Sequence, residues 1–148
     1  MNWCAYQERS QFETRRKLRE LGAPPEFAEL MITELIAENF LNEQRFALAL
    51  AGGKFRVKRW GRNKIKAELK RHQVSGKNIE TALDSIDEDE YRKALNEIII
   101  KKSSQLKQDN KLKTYRSLYS FLTARGFESE LVNDTLKQIN SEPQDDEF

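Results

Sequence analysis

The stretch that decides the fold of this chain is IKAELKRHQVSGKNIETALDSI, residues 65–86. Its large apolar residues recur at intervals of three and four on both sides of a polar break. This is the pattern of two short amphipathic helices joined by a turn. A pair of this size buries little apolar surface by itself, so we expect neighbouring helices to pack against it.

The same apolar pattern occurs again 53 residues later, without a gap, in LYSFLTARGFESELVNDTLKQI. A weaker copy lies 51 residues before the first. The turns align as well as the apolar positions, which argues for a true repeat, since apolar spacing alone occurs in any helical bundle. The matched positions are Ile65/Leu118, Leu69/Leu122, Val74/Phe127, Ile79/Val132, Leu83/Leu136 and Ile86/Ile139. We expect three tandem units, at residues 1–58, 59–107 and, incomplete, 108–140, followed by an acidic disordered tail at 141–148.

The composition favours helix along the whole chain. Of 148 residues, 38% are hydrophobic and 34% are charged, and only three prolines and six glycines interrupt them. We therefore expect an all-α protein, an elongated tandem array of three-helix repeats with about eight to nine helices and concave faces suited to binding. The expected helix stops are Gly22 and Gly126, and the expected N-caps are Asn42 and Asp87. Gly52-Gly53 predicts a kink, or the close approach of another helix.

Little in the sequence supports an enzyme. His72 is the single histidine, and we expect it near a helix C-terminus with a partly charged ring. Cys4 is the single cysteine, at a mobile start, which excludes an internal disulfide and leaves no metal-ligand spacing. We expect no catalytic residue, no cofactor and no metal. No apolar run is long enough for a membrane span, so we expect a cytoplasmic protein.

Three segments carry a family resemblance. SQFETRRKL (10–18) is similar to an S-x-x-E-L-x-x-K-L opening, FLNEQRFA (40–47) to L-D-D-E-R-F-A, and GRNKIKAELKRHQV (61–74) to G-x-x-x-I-x-x-E-L-x-x-K-G-I. In this order, over about residues 7–140, they resemble the RecX family, regulators of the bacterial recombinase RecA. The chain departs from that pattern at Thr14, where Leu is usual, at Asn42, where an acid is usual, at Gln73, where Gly is usual, and at Gly52-Gly53, where larger or basic residues are common.

The resemblance implies a non-enzymatic, all-helical protein of three-helix repeats that binds RecA filaments on DNA, lying in the filament groove. It implies that filament extension is blocked or disassembly promoted, so that strand exchange, ATP hydrolysis and the co-protease role in the SOS response fall. The implied partners are the RecA filament and single-stranded or filament-bound DNA, in DNA repair and recombination. We expect the chain to act as a monomer.

Positive charge is concentrated in residues 54–72, which hold nine Lys or Arg against one acid, although the whole chain is only +2. Because a helix that needs only solubility mixes both signs, an unmixed row four residues apart suggests an anionic partner. A solvated helix face is the plain alternative. The predicted partner- or DNA-binding residues are Lys54, Arg56, Lys58, Arg59, Arg62, Lys66 and Lys70, with Arg59 extending the row by one turn. Arg15, Arg16 and Arg19 form an accessory set.

Two anions fit the row: the phosphates of DNA within a filament, and an acidic patch on RecA. Phe55 and Trp60 have the chemistry to stack on bases, but their position at a unit boundary favours packing. Two other functions stay open beside filament regulation. One is an independent nucleic-acid-binding helical module that uses the same row, and the other is a repeat scaffold for an unrelated protein.

Overall fold

The structure, a computed structural model, describes residues 2–5, 7–106 and 110–141. The regular structure of these residues is entirely helical, as predicted, and comprises nine helices, of which the first is a single turn. They are α1 (Asn2–Ala5), α2 (Gln11–Glu20), α3 (Pro25–Ala37), α4 (Glu43–Lys58), α5 (Arg62–Arg71), α6 (Gly76–Asp84), α7 (Glu88–Gln105), α8 (Lys111–Ala124) and α9 (Ser129–Ser141). Apart from Ser141, which ends α9, the predicted acidic tail lies outside the described residues.

The described residues fall into two compact units, Met1–Lys58 with Ile65–Ile86, and Arg59–Lys64 with Asp87–Phe148. In the first unit α2 packs on α3 and α4 packs on α6. In the second unit α8 packs on both α7 and α9. Each unit has its own buried apolar residues, among them Ile65, Leu69 and Ile79 in the first, and Leu95, Leu122 and Val132 in the second.

The three helix ends at equivalent positions of the predicted repeat share one backbone motif, which also ends α3 at Asn39. The amides of Ala23, Val74 and Phe127 each bond the carbonyl five residues earlier, at 3.0 to 3.1 Å. In each case the preceding residue has positive φ: 85° at Gly22, 59° at Gln73 and 104° at Gly126. This is a Schellman end, in which the left-handed residue lets the chain reverse. The predicted stops at both glycines are therefore confirmed, and Gln73 adopts the conformation for which glycine is the usual choice.

The apolar matches between the second and third copies hold at most positions. The pairs Ile65/Leu118, Leu69/Leu122, Val74/Phe127 and Ile79/Val132 are buried on both sides. The last pair differs, since Ile86 is buried and Ile139 is 42% exposed. At the helix starts, the side chains of Asn42 and Asp87 accept the amides of Arg45 and Glu90 at 2.9 Å, which confirms both predicted N-caps.

Helix α4 differs from its prediction in two respects. The sequence pattern puts Phe46, Ala49 and Leu50 on one side of this helix, whereas its buried face is Phe46, Ala47, Ala51 and Phe55. Ala49 is exposed and Leu50 is only half-buried. The helix also runs unbroken through Gly52 and Gly53. The three atoms nearest to a Cβ at Gly52 all belong to the guanidinium of Arg56 on the same helix, and a Cβ at Gly53 would meet nothing within 4 Å. The expected close approach of another helix to these glycines is therefore wrong.

Cys4, expected in a mobile start, lies in α1 and packs against the buried cluster of Ile32, Leu35 and Leu41. Burial raises the pKa of its thiol.

Within the part of the chain that the structure describes, no helix is long and apolar enough to cross a membrane. No group of three or more His, Cys, Asp or Glu among those residues is placed to hold a metal ion.

Candidate anion-binding surfaces

Lys66 and Lys70 are the two members of the predicted row that lie on the exposed face of α5. They are one turn apart on α5, both are exposed, and Ile65 and Leu69 beside them are fully buried. Neither lysine forms an ion pair with a carboxylate of the described residues. Two like charges at i and i+4 repel each other by a few tenths of a kcal/mol in the isolated chain. An anion placed over both would remove that repulsion.

Arg62 was expected to point outward in the same row, and this expectation is wrong. Its side chain is only 19% exposed and pairs with two carboxylates, Glu88 and, at 3.1 Å, Glu128. Its guanidinium lies 3.8 Å from the centre of the Tyr91 ring, and its amide donates to the Tyr91 hydroxyl at 3.0 Å. The two acidic partners raise the pKa of Arg62 in spite of its partial burial. Arg62 is therefore a structural residue of the second unit.

Tyr91 and two glycines complete the surroundings of Arg62. The Tyr91 hydroxyl is fully enclosed and donates to Glu128, and burial raises its pKa. Beside it, the amides of Gly61 and Asn63 donate to the carbonyls of Arg125 and Gly126, both at 2.9 Å. The loop before α5 is thus fixed on the end of α8 by backbone bonds.

Arg59 does not continue the α5 row. It follows the end of α4 with a φ of 56°, so it is not helical, and its guanidinium lies 3.2 Å from Glu97. Among its neighbours, Phe55 is buried at the end of α4, as expected for a packing residue. Trp60 is half-buried, with the Lys64 ammonium 4.5 Å from its ring centre.

The end of α4 and the face of α2 form a groove of about 510 Å³ in the first unit. Lys54 and Lys58 of the predicted row line it together with Arg16 of the accessory set. The structure therefore brings these two predicted sets together. The other predicted residues stand apart. Arg56 and Arg19 are exposed, and Arg15 pairs with the carboxylate of Glu29, its Nη2 lying 3.2 Å from Oε2.

The carboxylates that line this groove are engaged by neighbouring groups. Glu8 pairs with Arg45, and Glu68 binds Arg71 at 2.7 Å. Glu13 accepts the amide of Ser10 at 3.1 Å in a capping box. Arg71, which sequence reasoning left out, also lines the groove. Its spacing of three from Glu68 is the one local signal from which this ion pair could have been predicted.

His72 lies at the base of this groove and is buried, with 7% of its surface exposed. Its Nδ1 is 2.7 Å from the hydroxyl of Ser10, and its Nε2 is 3.1 Å from a nitrogen of Arg71. Because a guanidinium only donates, Nε2 accepts and the proton of the neutral ring is on Nδ1. Burial lowers the pKa of His72, against the opposing effect of Glu13 and Glu68. The lowered pKa disfavours the partly charged ring that was expected, whereas the expected place of His72 at a helix C-terminus, directly after α5, is confirmed.

Ser10, His72 and Glu68 have the residue types of a hydrolase triad, but their bonding is structural. The Ser10 hydroxyl already accepts the amide of Glu13 as the N-cap of α2, and only 3% of the residue is exposed. The Nδ1 proton of His72 points to that hydroxyl, so the ring cannot accept its proton as a general base would. The network joins the start of α2 to the end of α5.

Comparison with known proteins identifies the family. The family described as RecX, second three-helix domain, matches residues 42–83, which take in α4, α5 and most of α6. The apolar repeat instead groups α4 with α2 and α3, so the predicted unit boundaries stay a prediction. The regulatory protein RecX of Prosthecochloris aestuarii is 30% identical over 139 residues, which cover 94% of this chain and 89% of that protein.

Other relatives are longer than this chain. The regulatory protein RecX of Clostridium tetani is 32% identical over 125 residues, which cover 83% of this chain and 57% of that protein. The chain likewise spans 54% and 62% of two further RecX proteins. The crystal structure of RecX from Lactobacillus salivarius matches 94% of this chain with a TM-score of 0.83 at 19% identity, which shows the same all-helical fold. The P. aestuarii protein is 30% identical to this chain, and the match covers nearly the whole length of both proteins. The chain therefore belongs to the RecX family of regulatory proteins.

Proposed function

We propose that this chain is a non-enzymatic regulator that binds RecA–DNA filaments in the cytoplasm. It inhibits recombinase, ATPase and SOS co-protease activity by blocking filament extension or promoting disassembly. The regulatory role is supported by family membership, since its relatives are named regulatory proteins. The partner and the mechanism come from the resemblance of the three sequence motifs.

The observation that carries the contact surface is the pair Lys66 and Lys70. Both are exposed on α5 without a carboxylate partner among the described residues. Lys54 and Lys58 add positive charge from the end of α4, together with Arg16 across the groove. We propose that these side chains contact the filament, and that Arg62 supports the second unit and makes no contact itself.

The experiment measures ATP hydrolysis by RecA on single-stranded DNA with less than one copy of this chain per RecA. The parent chain should suppress hydrolysis, and K66E/K70E should need a severalfold higher concentration for the same effect. The matched control is K77E/K93E, which changes two exposed lysines on α6 and α7 by the same charge. Equal inhibition by K66E/K70E and the parent would remove Lys66 and Lys70 from the contact surface.

The same assay separates this function from the alternative, an independent nucleic-acid-binding module with the same basic row. If the parent chain leaves ATP hydrolysis by RecA unchanged and binds DNA as tightly without RecA as with it, the alternative is correct. The salt dependence of binding shows which anion the row contacts. Contact with phosphates gives a steep linear fall of log affinity with log salt, because bound counterions are released. Tight filament binding with a weak salt dependence would instead indicate that the row contacts an acidic patch of RecA.

A further inference from the structure

Helix α3 carries large apolar residues on the side that faces solvent. Its buried side is formed by Ala28, Ile32 and Leu35, which belong to the core of the first unit. Phe27 and Leu30 lie outside this side and keep 54% and 69% of their surface exposed. They are three residues apart, so they are neighbours on the helix surface. The outer side of a helix in a soluble protein is normally polar, and two adjacent exposed apolar residues mark a surface that another molecule can cover.

The same surface carries three carboxylates without a basic partner. Glu26, Glu34 and Glu38 are exposed, and none of them pairs with a Lys or Arg of the described residues. Glu26 and Glu34 are each four residues from Leu30, in opposite directions, so carboxylates flank the apolar pair along the helix. The α3 outer face, as it is named here, consists of Glu26, Phe27, Leu30, Glu34 and Glu38.

The two acids at the end of α3 are placed against the usual electrostatic preference of a helix. Glu34 lies in the last turn, Glu38 is the C-cap residue, and the last turn has no basic residue. The unpaired carbonyls give this end of a helix a partial negative charge, which favours Lys or Arg there. The two carboxylates also repel each other at a spacing of four. A cation from outside removes both unfavourable effects, so the end of α3 favours a basic partner.

Other occupants of an exposed apolar surface do not suit the charge of the α3 outer face. Phosphates of nucleic acids and anionic lipid headgroups would meet carboxylates. A second copy of the chain that used the same face would bring the carboxylates of one copy close to those of the other. An extended peptide has no sheet edge on which to pair, since the described residues contain no strand. The occupant that suits both the apolar pair and the acids is a basic helix that lies along α3.

We propose that the α3 outer face binds a basic amphipathic helix of a partner protein. Apolar residues of that helix cover Phe27 and Leu30, and Lys or Arg side chains on its flank pair with Glu34 and Glu38. From Glu26 to Glu38 the face is about 18 Å long, which is the length of about twelve residues of a partner helix. The partner therefore has a charge opposite to that of the anions considered for the basic row. A contact of this size belongs to the weak, transient class of interfaces.

The probe is a fluorescent peptide of about fourteen residues with Leu at helical spacing and Lys elsewhere, here called the Leu/Lys peptide. Its binding to the full chain is measured by fluorescence anisotropy without RecA. F27A/L30A should weaken binding by about tenfold or more, because the apolar contact is lost while both positions keep a good helix former. E34Q/E38Q should weaken binding by about three- to tenfold, because two exposed ion pairs are lost.

Two matched controls separate the α3 outer face from general attraction to the peptide. E80Q/D84N removes two exposed acids at the same spacing of four and also at the end of a helix, α6. No large apolar residue is exposed on α6, so this variant should bind the Leu/Lys peptide as the parent does. I100A/L112A removes two apolar residues of the second unit that are 69% and 55% exposed, and it should also bind as the parent does.

A reversal of charge gives an independent test, because a loss of folding cannot imitate a gain of binding. E34K/E38K should lose affinity for the Leu/Lys peptide and should bind a peptide of the same pattern, with Glu in place of Lys, more tightly than the parent does. The proposal is overturned if E34K/E38K gains nothing for the Glu peptide, or if the parent does not bind the Leu/Lys peptide.

Three further results overturn the proposal. One is that F27A/L30A or E34Q/E38Q binds the Leu/Lys peptide as tightly as the parent. Another is that either control loses as much affinity as its matched variant. The third is self-association of the parent, measured by sedimentation, that F27A/L30A abolishes, because the α3 outer face then binds a second copy of the chain. Because RecA is absent, these results do not depend on filament regulation.

Discussion

Replacing Gly61 by alanine should strongly destabilise the second unit. A Cβ at this position would lie 2.2 Å from both the carbonyl carbon of Gly126 and the amide nitrogen of Phe127. Ordinary contacts begin near 3.4 Å, so the two backbone segments must separate by about 1 Å. That displacement breaks the 2.9 Å bonds that the amides of Gly61 and Asn63 donate to the end of α8.

The size of the effect follows from these contacts. Each buried donor left without a partner costs about 1–3 kcal/mol, and the forced repacking next to Phe127 costs about 1–3 kcal/mol more. We therefore expect G61A to lower the free energy of unfolding by about 3 kcal/mol or more, a large part of the usual total of about 5–15 kcal/mol. The matched control is G53A, where a Cβ meets open space in a helix interior. It should raise the free energy of unfolding by about 1 kcal/mol.

Urea denaturation of both variants in a W3F background checks this prediction. Trp60 is then the single tryptophan and stands next to Gly61. At a slope of about 2 kcal/mol per M, the midpoint of G61A should fall by about 1.5 M. A G61A midpoint within about 0.5 M of the parent would refute the reasoning from the 2.2 Å contacts. A lower midpoint for G53A would refute the statement that its surroundings are open.

Three further substitutions test separate contacts by the same denaturation. Q73G should raise the free energy of unfolding by about 1 kcal/mol, since glycine adopts positive φ without a side-chain clash; an unchanged midpoint contradicts this. S10A should lower it by about 2 kcal/mol by removing the N-cap of α2 and the partner of His72; a loss below about 0.5 kcal/mol would make this contact minor. Y91F should lower it by about 1–2 kcal/mol, because Glu128 loses a donor, whereas a gain would show a strained hydroxyl. Because burial lowers the pKa of His72, its contribution to stability should be full above about pH 6.5 and fall as the pH drops below that value. H72Q should remove that part of the pH dependence, and an unchanged profile would assign it to other groups.

Much of the fold was readable from local signals. A glycine after a helical pattern predicted the ends at Gly22 and Gly126, and side-chain oxygens predicted the starts at Asn42 and Asp87. These signals act within four residues, so no knowledge of packing was needed. The repeat then placed most of the core, because equivalent positions are buried in two copies.

The orientation of α4 could not be read in this way. Its sequence places small or apolar residues all round, so several faces are equally apolar and tertiary packing alone selects Ala47 and Ala51 over Ala49. The predicted close approach of another helix to Gly52 and Gly53 was wrong for a related reason. A glycine pair can mean a bend, a close approach or open space, and only the structure distinguishes these.

The candidate site was less readable than the fold. The outward side of α5 is set by burial of Ile65 and Leu69, and the exposed lysines follow directly from it. Arg62 obeys the same spacing, yet Glu88 and Glu128, which hold it, lie 26 and 66 residues away. No local pattern reports partners at that distance.

The unbroken path of α4 through two glycines has a consequence for its local opening. Glycine gives up about 1 kcal/mol of helix stability relative to alanine at each position, so the middle of α4 is about 2 kcal/mol less stable than it would be with two alanines. Amide hydrogens around Gly52 and Gly53 should therefore exchange with solvent sooner in this chain than in G53A. The turns that carry Lys54 and Lys58 lie beyond this weak point, and the buried Phe55 between them must leave its packing before these cations can shift.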